Sequence, residues 1–141
     1  MPLVIFACCL LVVTTTIIHY EVLRFLNARL TIMSIPHRAK LIVVILTTFI
    51  AHAGEIALYG AALYALVAWY GAGDLVGTAG FSLANCMYFS AESYTSLGFG
   101  DLTPDGPVRL LAGVEALNGL LLIGWSASFT YISMERFWRL G

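Results

Sequence analysis

Thr95-Ser96-Leu97-Gly98-Phe99-Gly100-Asp101 sets two glycines one residue apart, ahead of an acid and between two long apolar runs. No helix is expected to run through Gly-x-Gly, so the carbonyls here lack a helical ladder to bond. Lipid offers no donor either. Irregular backbone at membrane depth is tolerated only where protein buries it or where it lines a watery path. The chemistry that suits it is ligation of a desolvated cation by successive carbonyl oxygens. Turning those oxygens to one axis needs backbone angles that glycine adopts without steric cost. One loop supplies one oxygen at each depth, so several copies must meet on an axis.

A second group of residues has chemistry to offer inside the apolar runs. His52 and Glu55 lie three apart on one helical face. Ionisable residues in a membrane are costly and functional by default. The pair can be a metal or proton site, or a polar pair buried between helices; two residues are too few for a metal site alone. Glu115 and Asn118 are similar: they can face a watery cavity and gather cations, or brace a neighbouring helix. The cysteines, Cys8, Cys9 and Cys86, are odd in number and make neither a disulfide framework nor a zinc motif.

The elements that must position these residues follow from composition. The 141-residue chain is 60% hydrophobic and 11% charged, a surplus that a soluble domain of this length would expose as sticky surface. Three stretches are apolar enough to span: Pro2 to Ile18, Leu41 to Tyr70, and Val108 to about Met134. The first has no positive leader and no small-residue cleavage site after it, so it reads as a retained helix. An amphipathic connection, EVLRFLNARLTIMSIPHRAK, joins the first two and is broken at Pro36. GAGDLVGTAG reads as a glycine-rich turn. FSLANCMYFSAESY then makes a helix of roughly three to four turns, too short to cross but able to dip in and return.

Arg24, Arg29, Arg38 and Lys40 lie in the first connection, and Arg136 and Arg139 follow the last span. Only Arg109 falls on the opposite side, with Asp74, Asp101 and Asp105. The positive-inside rule makes the first connection and the C-terminus cytoplasmic and the N-terminus external. The first span lacks arginines at three-residue spacing, which excludes a voltage sensor of the usual kind. Nothing resembles a nucleic-acid-binding patch, and no nucleic acid partner is expected.

From Glu92 to Pro104 the sequence reads ESYTSLGFGDLTP. With a short helix before it and a long apolar helix after it, this resembles the pore module of potassium channels, T-x-G-[YF]-G-D. The resemblance covers roughly Leu41 to Phe137. It implies an all-α membrane protein with three transmembrane helices, a re-entrant pore helix and a selectivity-filter loop, assembled as a homotetramer. It divides the chain into an N-terminal helix and connection (1–40), the pore module (41–137) and a short tail (138–141). Ion ligands from Thr95, Ser96, Leu97, Gly98, Phe99 and Gly100 are implied, with Ser96 Oγ as the innermost ring. Glu92 and Asp101 are implied as support behind the filter. The chain departs from the family at Ser96, where Thr is usual, at Leu97, where Val or Ile is usual, and at Phe99, which lacks the tyrosine hydroxyl. Tyr88 and Phe89 replace the paired tryptophans of many pore helices.

Gly119 and Gly124 stand where inner helices of that family often bend, and small residues also serve close helix packing. Ser126, Ala127 and Ser128 can keep a cavity open or serve packing. Trp69, Tyr70, Phe137 and Trp138 fall at expected interfaces as belt anchors. The expected activity is passive potassium conduction in the cell (inner) membrane, with no chemical step, no cofactor beyond permeant K+, and lipid as the surrounding partner. A weakly selective cation channel, a non-conducting subunit and a metal enzyme built on His52 and Glu55 are the competing readings. A pH response through His52, Glu55 or Glu115 is a further expectation.

Overall fold

The computed structural model describes residues 1–78 and 80–138, the side chain of Trp138 excepted. The tail from 139 onward, with Arg139, and the Trp138 anchor lie outside the described residues. Helix α1 spans Pro2–Ile32, α2 His37–Ala68, α3 Leu83–Tyr94 and α4 Val108–Trp138. Three of these are long and apolar enough to cross a membrane. The short α3 lies between the second and third of them.

The first span does not stop at Ile18. Residues Val4, Cys8, Leu11, Thr15, His19, Leu23, Leu26 and Leu30 form one buried stripe at steps of three and four along the whole of α1. The stretch that reads as an amphipathic connection therefore continues the helix, because its leucines keep the phase of the apolar run. Glu21 and Arg24 settle on the solvent side as an ion pair of 2.7 Å, the spacing a helix surface favours. The true connection is residues 33–36, with Pro36 as the N-cap of α2. At 31 residues, α1 is about 46 Å long and overshoots a ~30 Å hydrocarbon core.

α2 carries a matching stripe through Val44, Thr48, Ala51, Glu55, Tyr59 and Leu63. It packs against α1, α3 and α4, and α4 in turn packs on α1 and α3. The main core joins Val4, Leu11, Tyr59, Leu63, Phe89, Tyr94 and Leu111. A smaller cluster of Leu26, Leu30, Val44 and Phe137 ties together the far ends of the three long helices. Phe137 is buried there beneath Lys40, whose Nζ lies 5.3 Å from the ring centre, so it is a packing residue and not an anchor in the interface belt. Trp69 and Tyr70 are exposed.

The glycine-rich turn also hides a feature. Strand β1, Asp74–Gly77, pairs antiparallel with β2, Leu102–Asp105, in the register Asp74↔Asp105 to Gly77↔Leu102. This small sheet clasps the two ends of the α3 hairpin together. Leu75 and Leu102 are its buried members. Gly77 is required by close approach: a Cβ there would overlap the Asp101 carbonyl.

Candidate functional site

α3 aims the loop. Ser82 caps its N-terminus, accepting the Asn85 amide at 3.1 Å. Its far end tightens through Thr95 N–H to Ala91 O (3.2 Å), Ser96 N–H to Ser93 O (3.0 Å) and Leu97 N–H to Glu92 O (2.9 Å). These bonds occupy the Ala91, Glu92 and Ser93 carbonyls, and the chain then leaves the helix. Positive φ then appears at every second residue: Ser96 (57°), Gly98 (58°) and Gly100 (79°). Alternation of this kind lets successive carbonyls turn to a common side. The two glycines meet the requirement freely. Ser96 does not, and its strain is about 1–2 kcal/mol. It is the one non-glycine residue with positive φ among those described, and sequence reasoning placed it as a ligand without that constraint.

Among the described residues, no donor reaches the carbonyls of Ser96, Leu97, Gly98 or Phe99. Residues 95–101 are all exposed in the single chain, with Leu97 at 60% and Phe99 at 66%. A row of free carbonyls thus lies on the surface, flanked by two uncovered apolar side chains. The loop is held from behind. Buried Glu92 accepts the Phe99 amide at 3.0 Å, and Tyr88 OH donates to Asp101 at 3.4 Å. Glu92 braces the loop through the Phe99 backbone, and Tyr88 interacts with both Glu92 and Asp101. Thr95 Oγ1 donates to Ala91 O at 2.7 Å and belongs to the end of α3.

Residues 41–136 match the sequence model of a family described as ion channel. The chain belongs to that ion channel family. Comparison with curated proteins and with solved structures yields no match. Membership makes the protein a multi-pass membrane protein that conducts ions passively, and a channel rather than an enzyme.

The rest of the channel's polar residues gather behind the loop. Glu55 is fully buried and sits between two histidines: His19 Nδ1 at 2.9 Å from Oε1 and His52 Nδ1 at 3.1 Å from Oε2. Tyr94 OH, the last residue of α3, donates to the same Oε2 and lies 2.9 Å from His52 Nδ1. Ser126 Oγ lies 3.0 Å from the Nε2 of both rings. The pair read from sequence is thus a five-residue cluster drawn from all four helices. His19, Tyr94 and Ser126 were missed as its members. The only signal for His19 was a buried-phase position on α1, legible once that helix is known to continue.

Glu115 contacts Ser90 of α3, whose Oγ is also 2.8 Å from the Ile56 carbonyl. It is 1% exposed and braces the helix instead of facing a cavity. Asn118 donates to Thr15 at 2.8 Å and to Tyr59 at 3.1 Å, tying α4 to α1 and α2. Gly119 faces the end of α3 so closely that a Cβ would overlap the Tyr94 carbonyl; Gly124 has open space beside it. Close approach, not bending, is the visible demand at Gly119.

Proposed function

We propose that four copies of this channel surround a common axis and conduct potassium selectively through the Thr95–Gly100 loop. The observation that carries this is the alternating positive φ at Ser96, Gly98 and Gly100, with carbonyls that no donor among the described residues occupies. Rings of such carbonyls replace the hydration shell of a monovalent cation. The exposed Leu97 and Phe99 fit the same assembly, since an adjacent copy would cover them. Ser96 Oγ would line the innermost ring, and Glu92 and Asp101 would hold the filter's shape. The C-terminal end of α3, with its partial negative charge, favours a cation nearby.

The charge distribution supports a cytoplasmic C-terminus and an external N-terminus in the cell (inner) membrane. Conduction calls for no cofactor beyond the permeant ion. Weak selectivity is the second reading, favoured by Phe99, which has no hydroxyl to brace the filter and is held through its amide instead.

The test is flux in liposomes holding the purified channel, with a potassium gradient and then a matched sodium gradient. The reading predicts potassium flux without sodium flux, abolished in Gly98→Ala. Equal flux of both ions sinks selectivity and leaves the second reading. Crosslinking in the same liposomes should give a tetramer; a monomer or dimer would overturn the assembly.

A further inference from the structure

We propose that His19, His52, Glu55 and Tyr94 bind one divalent transition-metal ion of the zinc class, inside the membrane and against the foot of the conducting loop. Three of these residues offer ligand atoms that lie within 4.8 Å of one another. Two imidazole nitrogens and a carboxylate are a common zinc donor set, completed by a fourth oxygen. Bonds of 2.0–2.2 Å at tetrahedral angles place ligand atoms about 3.3–3.6 Å apart. His19 Nδ1 lies 2.9 Å from Oε1 and His52 Nδ1 3.1 Å from Oε2, so an ion would draw these side chains into one shell by adjusting their separations. Tyr94 OH supplies the fourth oxygen, from beside both Glu55 and His52 Nδ1.

The second observation is the shared serine. Both Nδ1 atoms converge on Glu55, while both Nε2 atoms converge on Ser126 Oγ, each at 3.0 Å. Ligation at Nδ1 forces the remaining proton of each ring onto Nε2. A serine oxygen has two lone pairs and accepts both. The serine's own hydrogen can turn back to its helix, as helical serines do. Outer partners of this sort fix the tautomer and the ring orientation of metal-binding histidines.

The surroundings suit a cation. His19 and Glu55 are fully buried, and the cluster lies at the C-terminal end of α3, where the helix dipole favours positive charge. A cavity of about 240 Å³ lies beside His52 and Tyr94, walled mainly by Phe49, Ala53, Ile56 and Ile123. Nothing in this inference depends on which ion the channel conducts.

The experiment is titration of the full-length purified channel in detergent with Zn2+ and Co2+ in weak buffer, reading stoichiometry and the cobalt d–d spectrum. The expected result is one ion per chain and a four-coordinate cobalt spectrum. His52→Ala, at the least buried of the four ligands, should lose the spectrum while keeping the oligomer. Ser126→Ala should weaken binding by about 10–100-fold. Wild-type protein that binds no stoichiometric ion overturns the proposal. So does a cobalt spectrum that survives His52→Ala.

Discussion

The loop after α3 and the cluster behind it are two polar regions within the same membrane layer, and they solve the same problem in opposite ways. The cluster closes on itself: His19, His52, Glu55, Tyr94 and Ser126 each bond another member of the set. The loop stays open, with backbone carbonyls that no donor among the described residues occupies. Side chains from four helices can be gathered because each helix supplies its own backbone bonds. An irregular backbone has no such reserve, so its acceptors must look outward, to an ion or to other copies. The closed region holds the open one in place through Tyr94, one residue before Thr95.

The largest effect should come from the open region. Gly98→Ala places a Cβ on a residue with φ of 58°, and ion flux in liposomes should fall to background while the oligomer persists. Flux near wild type would show that the alternation is not what conducts. Next comes the closed region. Glu55→Ala leaves two histidines and a tyrosine facing a void, and removing one partner of a buried ion pair costs about 3–5 kcal/mol. Thermal unfolding in detergent should shift down strongly; an unchanged transition would mean that the network is not a structural unit. Gly119→Ala attacks the seam between the two regions by pushing on the Tyr94 carbonyl. Overpacking of this kind costs about 1–3 kcal/mol, and flux should drop together with stability. Glu92→Ala frees the Phe99 amide, a lost partner worth about 1–3 kcal/mol. The expected sign is reduced ion flux with the fold intact, read by comparing flux and melting. The smallest effect belongs to neither region: Ile50→Val, on a face 70% exposed, should move stability by less than about 0.5 kcal/mol.

The loop was legible in the sequence because its requirement is local. Gly98 and Gly100 are needed by backbone angles at those very positions, and the motif around them is contiguous. The three spans were legible for the same reason, as runs of apolar residues. What escaped depends on distant parts of the chain. The extent of α1 was hidden because Glu21 and Arg24 look like the end of a span until the stripe from Leu23 to Leu30 is set in phase with Val4. The β1–β2 pair was hidden because its four-residue strands, with Asp, Gly and Pro among them, carry no alternation of their own. His52 and Glu55 could be singled out, but His19 and Ser126 stand 107 residues apart and meet only in the folded bundle. Gly119 offered bending or packing, and only the neighbouring Tyr94 carbonyl distinguishes what is demanded there.

The reach of α1 across the bundle bears on how the chain is made. Thr15 and His19 enter the bilayer with the first helix, yet Asn118 and Ser126, which complete their bonds, arrive with the last. Thr15 can bond the Leu11 carbonyl of its own helix and His19 gains Glu55 with α2, but the bonds to Asn118 and Ser126 form only when α4 arrives. Closure of this polar layer is therefore timed by the insertion of α4.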